Sequence, residues 1–168
     1  LMHSAFLRDR LDEALAFALR ALVVWKAIGT RALVARSNHN IGIILADLGQ
    51  HQAAEAQTQL ALQQARELRL PDLQRAALLS ISHKSWLHAD AARALALIDE
   101  GLTLAPDFSR LAHRIALKSC RARAHHLAGA LGDALADAEA AFALAQAGTE
   151  QSTLMDCVSM VLDLYSDI

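Results

Sequence analysis

The histidines are the residues of this chain with the widest range of possible chemistry, because eight of them occur in 168 residues. Two imidazoles at positions i and i+4 of one helix can bind a single zinc ion. His83 and His88 are five positions apart and His125 and His126 are adjacent, so neither pair has that spacing. No closely spaced cysteine pair is present. We therefore expect no metal site and no cofactor, with the imidazoles at the surface or partly buried.

The two cysteines, Cys120 and Cys157, are the candidate nucleophiles. Cys157 lies among apolar residues, which predicts a buried and inert thiol. Cys120 has Lys118, Arg121 and Arg123 nearby, and such cations can lower the pKa of a thiol. The sequence has no GxSxG elbow and no glycine-rich phosphate loop, and its carboxylates are scattered along helices. We predict that the chain is not an enzyme.

Four cations are spaced four, four and three positions apart and share one helix face: Arg110, Arg114, Lys118 and Arg121. Such a stripe can bind an acidic peptide, a phosphate or nucleic acid. The alternative is a solvated face paired with nearby carboxylates, of which the candidates are Asp133, Asp137 and Glu139. Aromatic residues do not alternate with the cations, and the formal net charge is −2. We therefore favour the paired face and expect no direct binding of nucleic acid.

The composition predicts that helices position these residues. The chain is 54% hydrophobic, rich in Ala and Leu, and poor in β-branched residues, which indicates an all-α fold. Helix start and stop signals divide it into nine segments: about 1–8, 11–28, 31–47, 51–69, 72–87, 90–104, 108–129, 133–147 and 150–166. No long linker separates them, so residues 1–168 are predicted to form a single domain.

The predicted cellular location rests on sequence features that the chain lacks. No apolar window of about 18 residues exists and no targeting segment is visible, so we expect a soluble chain without membrane contact. Two cysteines cannot form a disulfide framework, which favours a reducing compartment and predicts a cytoplasmic location. The abundance of Ala and Arg suggests a bacterial source.

A repeat of about 40 residues organises the helices. Ala14, Ala54 and Ala94 each occur near the start of a corresponding helix and are equally spaced along the chain. We call this spacing the repeat interval. A helical hairpin that recurs at a fixed period indicates stacked units, because no single unit can bury its own apolar face.

The repeat resembles the tetratricopeptide repeat family. The clearest copy consists of Asn38, Ile41, Gly42, Leu45, Leu48, Gly49, Ala54, Thr58 and Ala61. It differs from the family pattern in holding Asn38 where the family has Trp and Thr58 where it has Phe. A second copy contains Leu78, Ile81, Ser82, Ala94, Ile98 and Gly101, and ends in Ala105-Pro106. A truncated first copy shows Ala14, Ala18 and Ala21, and a last copy with a looser register shows Leu131, Gly132, Asp133, Ala138, Phe142 and Ala145.

The resemblance implies a right-handed superhelix of antiparallel helix hairpins along nearly the whole chain. In this family the leading helix of each hairpin lines a concave groove. The corresponding residues here are Arg36, His39, Ile43, Asp47, Leu79, His83 and Trp86, and either Arg123 or His126 in the last copy. Such a groove suits an extended peptide or a partner helix.

The resemblance also implies a function. We predict a protein or peptide interaction module, as in the sensor or scaffold regions of bacterial signalling proteins and transcription regulators, whose extended repeats have a similar period. An alternative is a small-molecule effector domain in which His39, His83 and Trp86 line a closed pocket.

The last segment carries a continuous apolar stripe: Leu154, Met155, Val158, Val161, Leu162 and Tyr165. The preceding Ala-rich helix can cover only part of it. We therefore predict that Leu154, Val158, Val161 and Tyr165 form a surface for a further repeat of a larger protein, or for self-association, most simply as a two-fold homodimer. The front end, Leu1 to Leu7, is interpreted as a fragment of a leading helix. Other domains of the same polypeptide are thus expected partners.

Overall fold

The computed structural model of the chain describes residues 2–87, 90–104, 111–147 and 151–166, and the side chains of 2–9, 84–87, 151 and 152 lie outside this description. Every regular element in these ranges is an α-helix. The helices are α1 (Met2–Ile28), α2 (Arg31–Asp47), α3 (His51–Glu67), α4 (Pro71–Leu87), α5 (Ala91–Thr103), α6 (Leu111–Leu127), α7 (Leu131–Gln146) and α8 (Gln151–Ser166). The all-α prediction is confirmed.

The helices follow one another at a constant interval. The helices α2 to α5 begin at positions 31, 51, 71 and 91 and α7 begins at 131, so these starts keep one equal spacing, and the described parts of α6 and α8 begin at 111 and 151. Two helices therefore span one repeat interval, as the alanine spacing predicted. We call α2, α4, α6 and α8 the leading helices of the hairpins and α1, α3, α5 and α7 the following helices.

Four turns between helices share one hydrogen-bonded geometry. The backbone takes a positive φ at Gly29, Gly49, Arg69 and Gly129. At the second of these turns the Gly49 amide donates to the carbonyl of Ala46 at 2.9 Å, and the Gln50 amide donates to that of Leu45 at 2.8 Å. This pair of bonds satisfies carbonyls that the helix end leaves without partners, and the left-handed residue lets the chain reverse in a short turn.

Arg69 is the one non-glycine among these four residues, with φ 52°. Its Cβ is strained in the left-handed region, so Arg69→Gly is expected to raise the free energy of unfolding by about 0.5–1 kcal/mol. Urea denaturation measures this change. The control is Arg66→Gly in the last turn of α3, where glycine should lower stability by up to about 1 kcal/mol. Equal losses from both substitutions would contradict the role assigned to the turn.

Two predicted helix boundaries were wrong. The first two predicted helices form one continuous α1, because residues 9 and 10 are Asp and Arg, which do not interrupt a helix. The end of α6 is set by Gly129, with φ 75°, and Gly132 lies inside α7 instead of before it. Asp90 caps α5 as predicted and accepts a hydrogen bond from the Arg93 amide at 3.0 Å. Thr30 precedes α2 without a side-chain cap bond.

Two compact units are present, one up to Ala77 and one from Leu78, with the boundary inside α4. In the first unit, the buried side chains of Ile41, Leu45 and Ala54 contact partly buried residues of α1. In the second unit, Ala94, Ile98, Leu117 and Ala124 form one cluster between α5 and α6, and a larger one joins α6, α7 and α8. The predicted single domain and the handedness of the superhelix stay predictions.

The register of the last repeat, which the sequence left loose, follows from the repeat interval. The repeat interval continues from Ala54 and Ala94 to Ala134, and all three are buried. The equivalents of Ala54, Thr58 and Ala61 in the last repeat are therefore Ala134, Ala138 and Ala141, one helical turn before the set based on Ala138, Phe142 and Ala145. The two registers were hard to separate because α7 holds buried alanines at both sets of spacings.

Candidate functional site

One position of the leading helices recurs at the repeat interval as Ile43, His83, Arg123 and Asp163. All four side chains are exposed, whereas their neighbours on the packed faces are buried. In the second unit this position therefore presents an imidazole on α4, a guanidinium on α6 and a carboxylate on α8. Equivalent positions of successive hairpins thus differ in charge.

A cleft of about 290 Å³ lies between α6 and α8 in the second unit. Its lining residues are Ala122, Arg123, His126, Asp156, Ser159, Met160, Asp163 and Leu164. The α6 side contributes the basic groups Arg123 and His126, and the α8 side contributes the acidic groups Asp156 and Asp163. Met160 and Leu164 are buried and supply an apolar floor. A cleft of this composition can hold one or two side chains of both charge signs.

The charge of Arg123 affects the titration of His83 in the second unit. The pKa of His83 is lowered, first because partial burial disfavours the charged imidazolium and second because the Arg123 guanidinium repels it. Two residues from successive leading helices, each predicted to line the groove, thus act on one another. A lowered pKa keeps the imidazole neutral near pH 7, so that it can both donate and accept hydrogen bonds.

Removing the Arg123 charge is expected to raise the pKa of His83. In Arg123→Gln only the contribution of burial remains, so the titration midpoint should move back toward that of an ordinary histidine. The imidazole proton resonances measured by NMR between pH 4 and 8 report this midpoint. Lys118→Gln is the matched control and should leave the midpoint unchanged. If His83 titrates with the same midpoint in Arg123→Gln as in the unaltered chain, the charge of Arg123 does not act on His83.

The environment of the two thiols favours their protonated form. Both are free, and burial is the main cause that raises the pKa of Cys120 and of Cys157. Arg123 acts in the opposite direction on both, and the Ser119 hydroxyl also lowers the pKa of Cys157. The cations near Cys120 therefore do not activate it, as their sequence spacing had suggested they could.

The basic stripe is engaged with a buried carboxylate. Arg121 donates two hydrogen bonds to the carboxylate of Asp137, at 2.7 and 2.6 Å, and a third to Asp99 at 2.9 Å. The ammonium of Lys118 and the imidazole of His125 lie 3.7 Å from the oxygens of Asp137. Of the predicted carboxylates Asp133, Asp137 and Glu139, these bonds join the stripe to Asp137. Glu139 instead accepts a hydrogen bond from the Tyr165 hydroxyl. Arg110 lies outside the described residues.

The predicted groove residues are distributed over both units. In the first unit Arg36, Ile43 and Asp47 are exposed on α2, whereas His39 is buried. In the second unit Leu79 is partly buried and packs against the α5–α6 cluster, while His83 and His126 are exposed. The side chain of Trp86 lies outside the described residues. The effector pocket of His39, His83 and Trp86 stays a prediction.

The stripe on α8 is only partly covered within the second unit. Leu154 and Val161 pack against the α6–α7–α8 cluster, and Val158 is half-buried. Tyr165 is 53% exposed and its hydroxyl donates to the Glu139 carboxylate at 2.8 Å. Self-association through this surface remains a prediction.

Asp156, Ser159 and Asp163 line the cleft but were missed in the sequence. The uncertain register of the last repeat hid them, and α8 was interpreted only as an apolar end. The signal that identifies them is the repeat interval itself. One interval after His83 lies Arg123, and one interval after Arg123 lies Asp163.

Two further features bear on the kind of site. In the described ranges no group of three His, Cys, Asp or Glu side chains is placed to hold a metal ion. None of the described helices combines the length and apolar character needed to cross a membrane.

The comparison with known families adds to this geometry. The family model described as Tetratricopeptide repeat matches residues 3–67. Those residues are tetratricopeptide repeat sequence. The match covers the first hairpin and the helix before it, and the helices that follow continue at the same repeat interval. A search of curated proteins gives no match to the chain. Tetratricopeptide repeats are non-catalytic scaffolds that generally mediate protein–protein interactions.

Proposed function

We propose that this chain is a non-enzymatic module that binds an extended peptide or a partner helix along its leading helices. The observation that carries the proposal is the cleft between α6 and α8, which Arg123, His126, Asp156 and Asp163 line together. These residues occupy the repeat positions that line the groove in tetratricopeptide proteins. The general role of the family in protein–protein interaction supports the same conclusion.

The charges that line the cleft indicate which side chains a partner would carry. An acidic side chain of the partner would pair with Arg123 and His126, and a basic one with Asp156 and Asp163. The cleft is too small for a folded domain and has the size of one or two side chains. The partner is therefore a peptide or helix in which acidic and basic residues lie close together, and His83 extends the polar row on α4.

The biological context is a further part of the proposal. A period of about 40 residues exceeds that of standard tetratricopeptide repeats and is similar to the helical sensor regions of bacterial transcription regulators and signalling proteins. This support is an analogy at the level of the fold. The free thiols of Cys120 and Cys157 favour a cytoplasmic location. Other domains of the same polypeptide are included among the proposed partners.

The first experiment screens the whole chain against a displayed library of random decapeptides. The recovered sequences are expected to combine Asp or Glu with Lys or Arg within three to four positions. Recovered peptides are then labelled and their dissociation constants measured by fluorescence anisotropy. Failure to recover peptides, or recovery of peptides without charged residues, would contradict the proposal.

Charge reversal in the cleft supplies the second experiment. Arg123→Glu and Asp163→Lys are each expected to weaken binding of the recovered peptides at least tenfold, since a close charge pair is replaced by repulsion. Arg93→Glu, an exposed residue of α5, is the matched control and should change binding less than twofold. Circular dichroism checks that the variants keep their helices. Unchanged binding by both cleft variants would overturn the assignment of the site.

A further inference from the structure

Another cleft, of about 250 Å³, lies in the first unit, where α1 ends, α2 begins and α3 ends. Its lining residues belong to these three helices and to the turns that follow α1 and α3: Lys26, Gly29, Arg31, Val34, Gln64, Glu67 and Leu68. We call it the junction cleft. Its volume is below the roughly 300–1,000 Å³ of sites that hold drug-sized ligands, so it suits a smaller molecule.

The side chain at position 34 explains why this junction is open. One repeat interval later, Gln74 of α4 extends across the end of α3 and its Nε2 donates a hydrogen bond to the carbonyl of Ala65 at 3.1 Å. The corresponding pair at the junction cleft is Val34 and Trp25. Valine is shorter than glutamine and has no hydrogen-bond donor, so it cannot form this bridge. The space that Gln74 occupies between α3 and α4 is therefore left open beside Val34.

The polar lining of the junction cleft consists mainly of hydrogen-bond donors. Among the described residues, the Lys26 ammonium forms no ion pair or hydrogen bond. The Arg31 guanidinium donates one bond to Glu67 at 3.1 Å and carries further N–H groups. The side-chain oxygen of Gln64 accepts a hydrogen bond from Asn38 at 2.9 Å, which leaves the Gln64 Nε2 group to donate. Three side chains can thus donate to a ligand in the cleft.

The carboxylate of the junction cleft is already engaged within the protein. Glu67 accepts from Arg31 through Oε2 and from the Gln63 side-chain amide through Oε1, both at 3.1 Å. The two cations Lys26 and Arg31 face this single carboxylate, so the lining has an excess of positive charge. The cleft therefore fits an anion that accepts hydrogen bonds and does not fit a cation.

Two apolar side chains complete the lining and narrow the choice of anion. Val34 and Leu68 are partly buried, and Leu68 packs against the cluster of Ala35, Ala65 and Leu73, which holds it in place. An aliphatic chain on the ligand would be removed from water against these two residues. Inorganic phosphate would leave that apolar surface unused. A carboxylate with a short branched chain satisfies both the donors and the apolar wall.

We propose that the junction cleft binds a small aliphatic carboxylate. The carboxylate oxygens accept hydrogen bonds from Lys26, Arg31 and Gln64, and the aliphatic chain packs on Val34 and Leu68. The junction cleft shares no residue with the cleft between α6 and α8, so this site does not depend on the proposed peptide site. Because the ligand is small and the cations are exposed, we expect dissociation constants in the millimolar range.

Titration of the ¹⁵N-labelled full chain with isovalerate at constant ionic strength tests the proposal. The amide resonances of Gly29, Val34 and Leu68 should shift and saturate at one ligand per chain. Isovaleramide, which has the same shape without the charge, should bind at least about fivefold more weakly, and so should acetate, which lacks the chain.

N-acetyl-leucine separates a free acid from the C terminus of a peptide. It carries the same carboxylate and branched chain with a further amide group, and it should bind more weakly than isovalerate because the cleft is small. Tighter binding of N-acetyl-leucine would assign the cleft to a peptide end. That result, equal affinity for isovaleramide, or shifts that do not saturate would each overturn the proposal.

Substitutions then locate the ligand. Lys26→Gln should weaken isovalerate binding at least about threefold, whereas Arg20→Gln removes the same charge from an exposed position of the same helix and should leave the affinity unchanged. Val34→Gln introduces the residue of the next leading helix and should fill the cleft, so that the saturable shifts disappear. Circular dichroism checks that the helices are kept. Unchanged affinity in both Lys26→Gln and Val34→Gln, or an equal loss in Arg20→Gln, would overturn the site.

Discussion

Asp137→Ala is expected to lower the free energy of unfolding by about 3 kcal/mol, the largest effect of any single change considered. The Asp137 carboxylate is 6% exposed and accepts two hydrogen bonds from Arg121. Its removal leaves the partly buried cations Arg121 and Lys118 facing each other, with Asp99 as the carboxylate that still contacts Arg121. The pKa of Arg121 is held above its ordinary value, chiefly by the hydrogen bond to Asp137. Urea denaturation measures the loss.

A control and a rescue accompany this substitution. Asp133→Ala removes an exposed carboxylate from the first turn of the same helix and should cost only about 0.5 kcal/mol. The rescue replaces Lys118, Arg121 and Asp137 by the residue types found at the equivalent positions of the preceding repeat. Those positions hold Leu78, Ile81 and Leu97. The triple variant Lys118→Leu, Arg121→Ile, Asp137→Leu should recover most of the lost stability, because buried ion pairs can be replaced by apolar residues of similar volume. A triple variant less stable than Asp137→Ala would contradict the equivalence of the hairpins.

Gly42→Ala is expected to lower the free energy of unfolding by about 2 kcal/mol. A Cβ at residue 42 would overlap the hydroxyl of Thr58 and lie 3.2 Å from the carbonyl oxygen of Ala54, a backbone atom that cannot easily move. Alanine favours helices over glycine by about 1 kcal/mol, so the clash must exceed this gain. Thermal and urea unfolding of the variant measure the net effect.

The hairpin of α6 and α7 indicates how the clash is relieved. There the positions of Gly42 and Thr58 hold Ala122 and Ala138, both fully buried. Adding Thr58→Ala to Gly42→Ala should therefore recover at least about 1 kcal/mol relative to the sum of the single changes. Gly132→Ala, which has open space around its Cβ, should raise stability by about 0.5 kcal/mol. Additive losses in the double variant would show that the approach of the two helices is not set by this contact.

The sequence predicted the helical repeat well because its signals are local. Glycines near helix ends and the equal spacing of Ala14, Ala54 and Ala94 identified the period, and the starts of α2 to α5 and of α7 follow it. The register of the last repeat stayed open in the sequence because alanine spacings fit α7 in two registers. The continuous α1 was missed because Asp9 and Arg10 are equally compatible with a helix and with a turn.

The site was less accessible to prediction because it depends on contacts between helices. Of the residues that line the cleft, Arg123 and His126 were named from their repeat positions, but the acidic residues Asp156 and Asp163 were not. The sequence placed Lys118 and Arg121 on a face paired with Asp133, Asp137 or Glu139. The packing of α6 on α7 selects Asp137 among these three and shows that it is buried at the position of Phe17, Gln57 and Leu97.

The proposed binding surface is tested most directly by a map of amide chemical-shift changes in the ¹⁵N-labelled chain during titration with the tightest recovered decapeptide. We expect the largest changes at Arg123, His126, Asp156, Ser159 and Asp163, with saturation at one peptide per chain. The exposed faces of the following helices, for example at Asp99 and Glu139, should show no change. Changes confined to those faces or to α1, with the cleft residues unaffected, would contradict the proposed site.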